Sequence, residues 1–136
     1  METCVMTQRK ELFSFEDLIA WQKGHKLLIS VFKQLKEKEN LVDPQFDSHM
    51  KQTAIAICSQ IAAGYEQTIP TMTIDFLRSA KGSAASLTTQ LILAKELGYF
   101  ESELTAELYA LAKEVSKIIQ GLINYISNKN ESEQKS

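Results

Sequence analysis

Residues 74–100, IDFLRSAKGSAASLTTQLILAKELGYF, restrict the fold more than any other part of the chain. Leu77, Ala80, Ala84, Leu87, Leu91, Ala94 and Gly98 recur at alternating steps of three and four, the spacing that draws one seam along a long helix. A second line, Ser79, Gly82, Ser86, Thr89 and Leu93, falls on roughly the opposite side at about 100° per residue and is mostly small. A helix narrow on two sides is open to close approach from both. That places it centrally, against its own bundle on one face and another subunit on the other, with Ser79, Gly82 and Ser86 as candidate interface positions.

The same spacing recurs before and after this stretch. Ser14, three residues ahead of Asp17, is a capping signal that starts a first helix near Phe15. Leu18, Trp21, His25, Leu28, Phe32 and Leu35 form its seam. Residues 40–45 are a loop, because Pro44 does not fit a helix interior. A second helix, from Phe46 or Asp47 to the region of Gly64 to Gln67, carries the seam Met50, Ala54, Ile57, Ile61 and Tyr65. Residues 68–73 form the next loop, with Pro70 as breaker and Thr73 as N-cap of the third helix. Gly98 closes that helix as a C-cap residue. The link after it is so short that a fourth helix, residues 101–127, must fold back beside the third.

Leu104, Leu108, Leu111, Val115, Ile118, Leu122 and Tyr125 are the fourth helix's seam. Tyr109, Ala112, Ile119, Ile123 and Ile126 lie beside it and widen the apolar arc to roughly 200°, about twice what one bundle face needs. The surplus implies a partner, so these five join the candidate interface. The expected fold is all-α, an antiparallel up-down-up-down four-helix bundle over residues 15–127. A polar leader (1–14) precedes it and a disordered polar tail (128–136) comes after it. The five Gly and two Pro among 136 residues leave little room for the turns of an all-β alternative.

Catalytic and metal-site signatures are missing. Cys4 and Cys58 are the only cysteines and make no CxxC pair, so no disulfide framework or zinc site is expected, in keeping with a reducing cytoplasm. No ExxH motif supports a di-iron bundle, and His25 reads as a bundle-facing imidazole satisfied by a hydroxyl or carbonyl. Cys58 reads as a small buried hydrophobe, and Ser83 and Ser86 as packing residues. No Walker loop, GxGxxG or membrane-length apolar run occurs. The chain is expected to be neither an enzyme nor a membrane protein, and to need no cofactor. Net charge is −2, with residues 18–95 at +3 and residues 96–136 at −3. Lys23, Lys26 and Lys33, away from the first helix's seam, are joined by Lys51, Arg78 and Lys81 as candidate phosphate contacts. The bland alternative is a solvated helix face, since no aromatics interleave to stack bases.

Three segments carry a resemblance: Phe15-Glu16-Asp17-Leu18 with Trp21-Gln22; Ile61-Ala62-x-Gly64-Tyr65; and Phe76-Leu77-Arg78-x-Ala80-x-Gly82-Ser83 leading to Gln90-Leu91-x-Leu93-Ala94-x-Glu96-Leu97-Gly98-Tyr99. In this order they resemble the bacterial four-helix-bundle proteins first met as reading frames in intervening sequences of large-subunit ribosomal RNA genes. The resemblance implies a bundle that assembles as a ring, a homopentamer. The accessory variability proteins of diversity-generating retroelements look like distant relatives; they bind nucleic acid and partner a reverse transcriptase. The function implied by resemblance is that of a non-catalytic scaffold associated with RNA or DNA. The alternative is an oligomeric protein-interaction module without nucleic acid, favoured by pI ≈ 5.7 and by departures from the family pattern. Lys51-Gln52 stands where the family shows paired arginines, and Ala63 and Ser86 stand where it shows glutamates.

Overall fold

The computed structural model describes residues 14–135. A 3-10 turn, Phe15–Asp17, leads into α1 (Ile19–Glu37), α2 (Pro44–Tyr65), α3 (Pro70–Glu96) and α4 (Ser102–Lys135). These are the four α-helices among the described residues, which contain no strand. Helices adjacent in sequence pack together and α1 also packs against α4, whereas α1 and α3, and α2 and α4, make no close backbone approach. The four therefore surround one core, in which Leu27, Leu35, Met50, Ile57, Ile61, Leu77, Leu87, Leu91 and Ile119 are fully buried.

Local chemistry explains most boundaries. Ser14 caps the 3-10 turn: its Oγ accepts from Glu16 N (3.2 Å) while Asp17 Oδ2 accepts from Ser14 N (3.2 Å). The capping signal thus belongs to the turn, and α1 begins after it, at Ile19. Both prolines open helices instead of standing in the loops before them. Pro44 and Pro70 each occupy the first turn, where the missing N–H has no intrahelical acceptor to lose. Asp43 caps α2 by accepting from Gln45 N (3.0 Å) and Phe46 N (3.2 Å). Thr73 lies inside α3, so it is not the N-cap it was expected to be. Gly98, at φ +80, ends α3 as read. Tyr99 N donates to Ala94 O (2.8 Å) and Gly98 N to Lys95 O (3.1 Å), the paired bonds of a Schellman closure.

The seams of α2 and α3 are buried as expected, with Tyr65 half-buried and Gly98 exposed. Those of α1 and α4 are displaced by one residue at most positions, with Leu35, Leu108 and Val115 buried as expected. On α1 the buried line is Ala20, Gly24, Leu27, Val31 and Leu35, while Trp21, Leu28 and Phe32 cover its edge. Small residues are the reason: a Cβ on Gly24 would stand 3.4 Å from Cys58 Sγ and 3.5 Å from Ile57 Cγ2, so α1 approaches α2 closely there. His25 consequently points outward, stacked on Trp21 with centroids 5.0 Å apart, and is not bundle-facing.

On α4 the buried line is Thr105, Leu108, Ala112, Val115, Ile119 and Ile123. Ala112, Ile119 and Ile123, expected at a contact between subunits, are therefore part of the subunit's own core. A 200° arc read as one seam plus a flank has its middle between the two, and the bundle buries that middle. Residues 1–13, most of the expected leader, lie outside the described residues. The segment from 128 on, expected to be disordered, continues α4 to Lys135.

Candidate functional site

An apolar surface is left open on α3 and the start of α4. Ser79, Gly82, Ser86, Thr89 and Leu93 all lie on the exposed side of α3, opposite its buried seam. A Cβ placed on Gly82 would meet nothing within 4 Å, so no other part of the subunit covers this line. Toward the Gly98 joint the small residues give way to large ones: Ile92, Leu93 and Leu97 are 44%, 42% and 56% exposed. Thr88 and Thr89 turn their hydroxyls back onto the Ala85 carbonyl (2.6 and 3.4 Å), which withdraws polar donors from the face. Beside it a hollow of about 320 Å³ opens between α3 and α4, lined by Ile92, Ala106 and Tyr109 and by the polar Lys95, Glu96, Ser102 and Thr105. Ile92 and Leu97 fall on neither line read from the sequence. Their signal is large aliphatic side chains on a helix whose buried seam is already complete.

Tyr109 thus adjoins this surface, and Lys113 Nζ sits 6.0 Å from its ring centroid. Ile126 is half-buried at the opposite end of α4, beside a second hollow that includes Pro70, Thr73 and Tyr125. The interface positions read from α4 therefore divide between the core, the α3–α4 face and the far end.

The six candidate basic residues do not gather on one surface. Lys23 Nζ pairs with Glu114 of α4 at 3.3 Å. Lys51 pairs with Asp47 at 2.9 Å and lies 5.5 Å from the centre of the Phe32 ring. Arg78 reaches Asp75 on its own helix at 4.0 Å. Lys81 spans α3 and α4 by donating to Gln120 Oε1 (2.7 Å), whose Nε2 in turn donates to Asn124 (2.9 Å). Lys26 and Lys33 alone among the six are exposed without an acidic or amide partner among the described residues.

Polar side chains between α2 and α3 bind each other. Ser83 Oγ donates to Gln60 Oε1 (2.8 Å) and Gln90 Nε2 to Thr53 Oγ1 (3.0 Å). Cys58 is buried beside Gly24, and desolvation raises its thiol pKa from 9.0 to about 11, which keeps it protonated and a poor nucleophile. Among the described residues no group of three His, Cys, Asp or Glu side chains is placed to hold a metal ion, and no helix is long and apolar enough to cross a membrane.

The family model described as "23S rRNA-intervening sequence protein" matches residues 16–121, which include all of α1, α2 and α3 and α4 as far as Gly121. The chain belongs to the 23S rRNA-intervening sequence protein family. A solved structure with the same fold is that of a protein of unknown function from the S23 ribosomal protein family of Bacteroides thetaiotaomicron VPI-5482. It is 15% identical, with 77% of this chain and 98% of that chain covered and a TM-score of 0.70. None of the curated proteins compared matches the sequence.

The segments that carry the likeness to the 23S rRNA-intervening sequence proteins act structurally in this chain. Trp21 meets Phe15 edge-on at 5.4 Å, and Gln22 Nε2 donates to Glu16 O (3.0 Å), which fastens the 3-10 turn onto α1. At Gly64 a Cβ would stand 3.1 Å from Phe76 Cβ and 3.3 Å from Thr73 O, so α2 and α3 are in near-contact there. The segment from Gln90 to Tyr99 supplies the α2–α3 hydrogen bond and the Gly98 joint.

Proposed function

We propose that the protein is a non-catalytic, homo-oligomeric helical scaffold whose subunits join through the outer face of α3 and the adjoining groove of α4. The observation that carries this reading is the open line from Gly82 to Leu97, small at one end and aliphatic at the other, on a helix whose opposite face is already buried. Covering each of its three large aliphatic side chains contributes on the order of 1 kcal/mol. The resemblance to ring-forming relatives supplies the subunit number, five. An antiparallel up-down-up-down order is supported by pairings in which numbers rise on one helix as they fall on its neighbour: Thr53 with Gln90 and Gln60 with Ser83. A cytoplasmic setting agrees with a sequence that holds two cysteines and no disulfide framework, and with the free Cys58 thiol.

Light scattering tests the reading. The wild type is expected near five times 15.3 kDa, and Leu93→Glu should lower the mass while helical content is kept. A wild-type monomer at micromolar concentration would remove the proposal.

A second reading, RNA or DNA contact by the same scaffold with a reverse transcriptase or similar enzyme alongside, is favoured by Lys26 and Lys33. They are seven residues apart on one side of α1 and form no ion pair among the described residues, although Lys26 shares a hollow with Glu107 and Glu114. Such binding should be weak and should fall steeply with salt. Retention of RNA by Lys26→Gln/Lys33→Gln at wild-type strength would exclude this surface.

A further inference from the structure

The α1–α4 pairing is the loosest of the four around the core. Two hollows, of about 440 and 600 Å³, lie along the α1–α4 groove, and both touch Glu107. Leu104 is the apolar side chain of the larger, among Gln34, Ser102 and four glutamates, and Leu111 lines the smaller with Leu108 and Ala110. Ile118 stands at the same seven-residue step on that face of α4 as Leu104 and Leu111, and all three are only half-buried. This is where the surplus width of the α4 arc is left open.

The rim near the Gly98 joint is acidic. Glu37, Glu101, Glu103 and Glu107 border the larger hollow, and none of them has a basic partner among the described residues. Farther along, Glu114 is occupied by Lys23, and Lys26 is the cation of the rim. From Leu104 to Ile118 the distance along α4 is about 21 Å, the length of four helical turns.

We infer that this groove receives a basic amphipathic helix of a partner protein, laid alongside α1 and α4 as a fifth helix. Leucine-like side chains at i, i+3 or i+4 and i+7, with the pattern repeated over four turns, seat along Leu104, Leu111 and Ile118, and flanking Lys or Arg meet the four carboxylates. Charge complementarity selects this occupant: the carboxylates repel a phosphate backbone and attract a cationic peptide. The groove is separate from the outer face of α3, so the inference stands apart from the assembly proposed there.

The test uses the full chain and a labelled synthetic helix of about 18 residues, with leucines at that spacing and Lys/Arg flanks, tracked by fluorescence anisotropy. A peptide of the same apolar pattern with Glu flanks is the comparison. Binding in the micromolar range is expected for the basic peptide. Glu103→Lys/Glu107→Lys should weaken it about tenfold or more, and Glu131→Lys/Glu133→Lys, on the far end of α4, should not. Circular dichroism of the variants and methyl shifts of Leu104 and Leu111 on titration separate a lost contact from a lost fold. Equal binding of both peptides, equal binding by both double variants, or no binding at about 100 µM peptide would overturn the inference. So would a fall in the protein's own mass in Glu103→Lys/Glu107→Lys, because the groove would then be filled by a second copy of this chain.

Discussion

Two helical glycines show how differently one residue type serves in this bundle. At Gly64 the space a Cβ would take is limited by Phe76 Cβ at 3.1 Å and Thr73 O at 3.3 Å, both fixed to the α3 backbone, so α2 and α3 must separate to admit it. At Gly82 nothing lies within 4 Å. Gly64→Ala should therefore destabilise by about 1 to 3 kcal/mol, less the helix propensity it gains. Gly82→Ala should raise subunit stability by about 0.5 to 1 kcal/mol. Urea denaturation of the two variants in the Leu93→Glu background, where the subunits are expected to be apart, checks the opposite signs; the same sign for both would contradict the packing described at Gly64. Cys58 is a second residue with a definite expectation. Burial raises its pKa from 9.0 to about 11. Because the folded value is the higher, the neutral thiol's contribution to stability is fully present below about pH 9 and is lost as pH rises through about 11. In a Cys4→Ser background, alkylation at pH 8 should be slow in the native state and fast in denaturant. Native-state labelling at the rate of a free thiol would show that the site is open.

The four helices illustrate what spacing reveals and what it leaves ambiguous. The α2 and α3 seams were legible because most neighbours of each apolar line are polar or small. On α1 and α4 a row of large apolar side chains stands directly beside the buried line, and a rotation of one residue exchanges centre for flank. Trp21, Leu28 and Phe32 drew the α1 seam toward themselves, although Ala20 and Gly24 are what allow close approach. The same ambiguity assigned Ala112, Ile119 and Ile123 to a subunit contact. Their burial makes substitution there a test of the fold and not of assembly. Ile119→Glu places a carboxylate at a position with no solvent exposure, a penalty of several kcal/mol against a typical total of about 5 to 15. It should abolish the cooperative fold itself. Tyr109→Glu, at an exposed site, should retain it. Circular dichroism and thermal melts distinguish the two, and a well-folded Ile119→Glu protein would contradict the position of α4.

At the scale of the whole molecule, an assembly that forms from folded subunits makes apparent stability depend on protein concentration. Melting temperature should rise between about 1 and 100 µM chain in the wild type and become independent of concentration in Leu93→Glu. A wild-type melt that ignores concentration would contradict assembly through α3. The candidate surfaces were less legible than the fold because a core and an interface recruit the same side chains. Only the packed bundle separates Ile119, which is covered, from Ile92 and Leu97, which are not. The basic residues posed the related difficulty that their partners, Glu114 for Lys23 and Gln120 for Lys81, are distant in sequence. The helices are also unequal: α1 has 19 residues and α4 has 34, roughly 28 Å against 51 Å at about 1.5 Å per residue. More than a third of α4 must therefore run on without α1 beside it. That stretch lies instead beside the joint between α2 and α3, where Lys129 lines a hollow with Gln67, Pro70 and Thr73. In a closed ring this end would be repeated once per subunit, so a target touched too weakly by one copy would be held by several at once, and its hold would depend on how well its own repeats match their spacing.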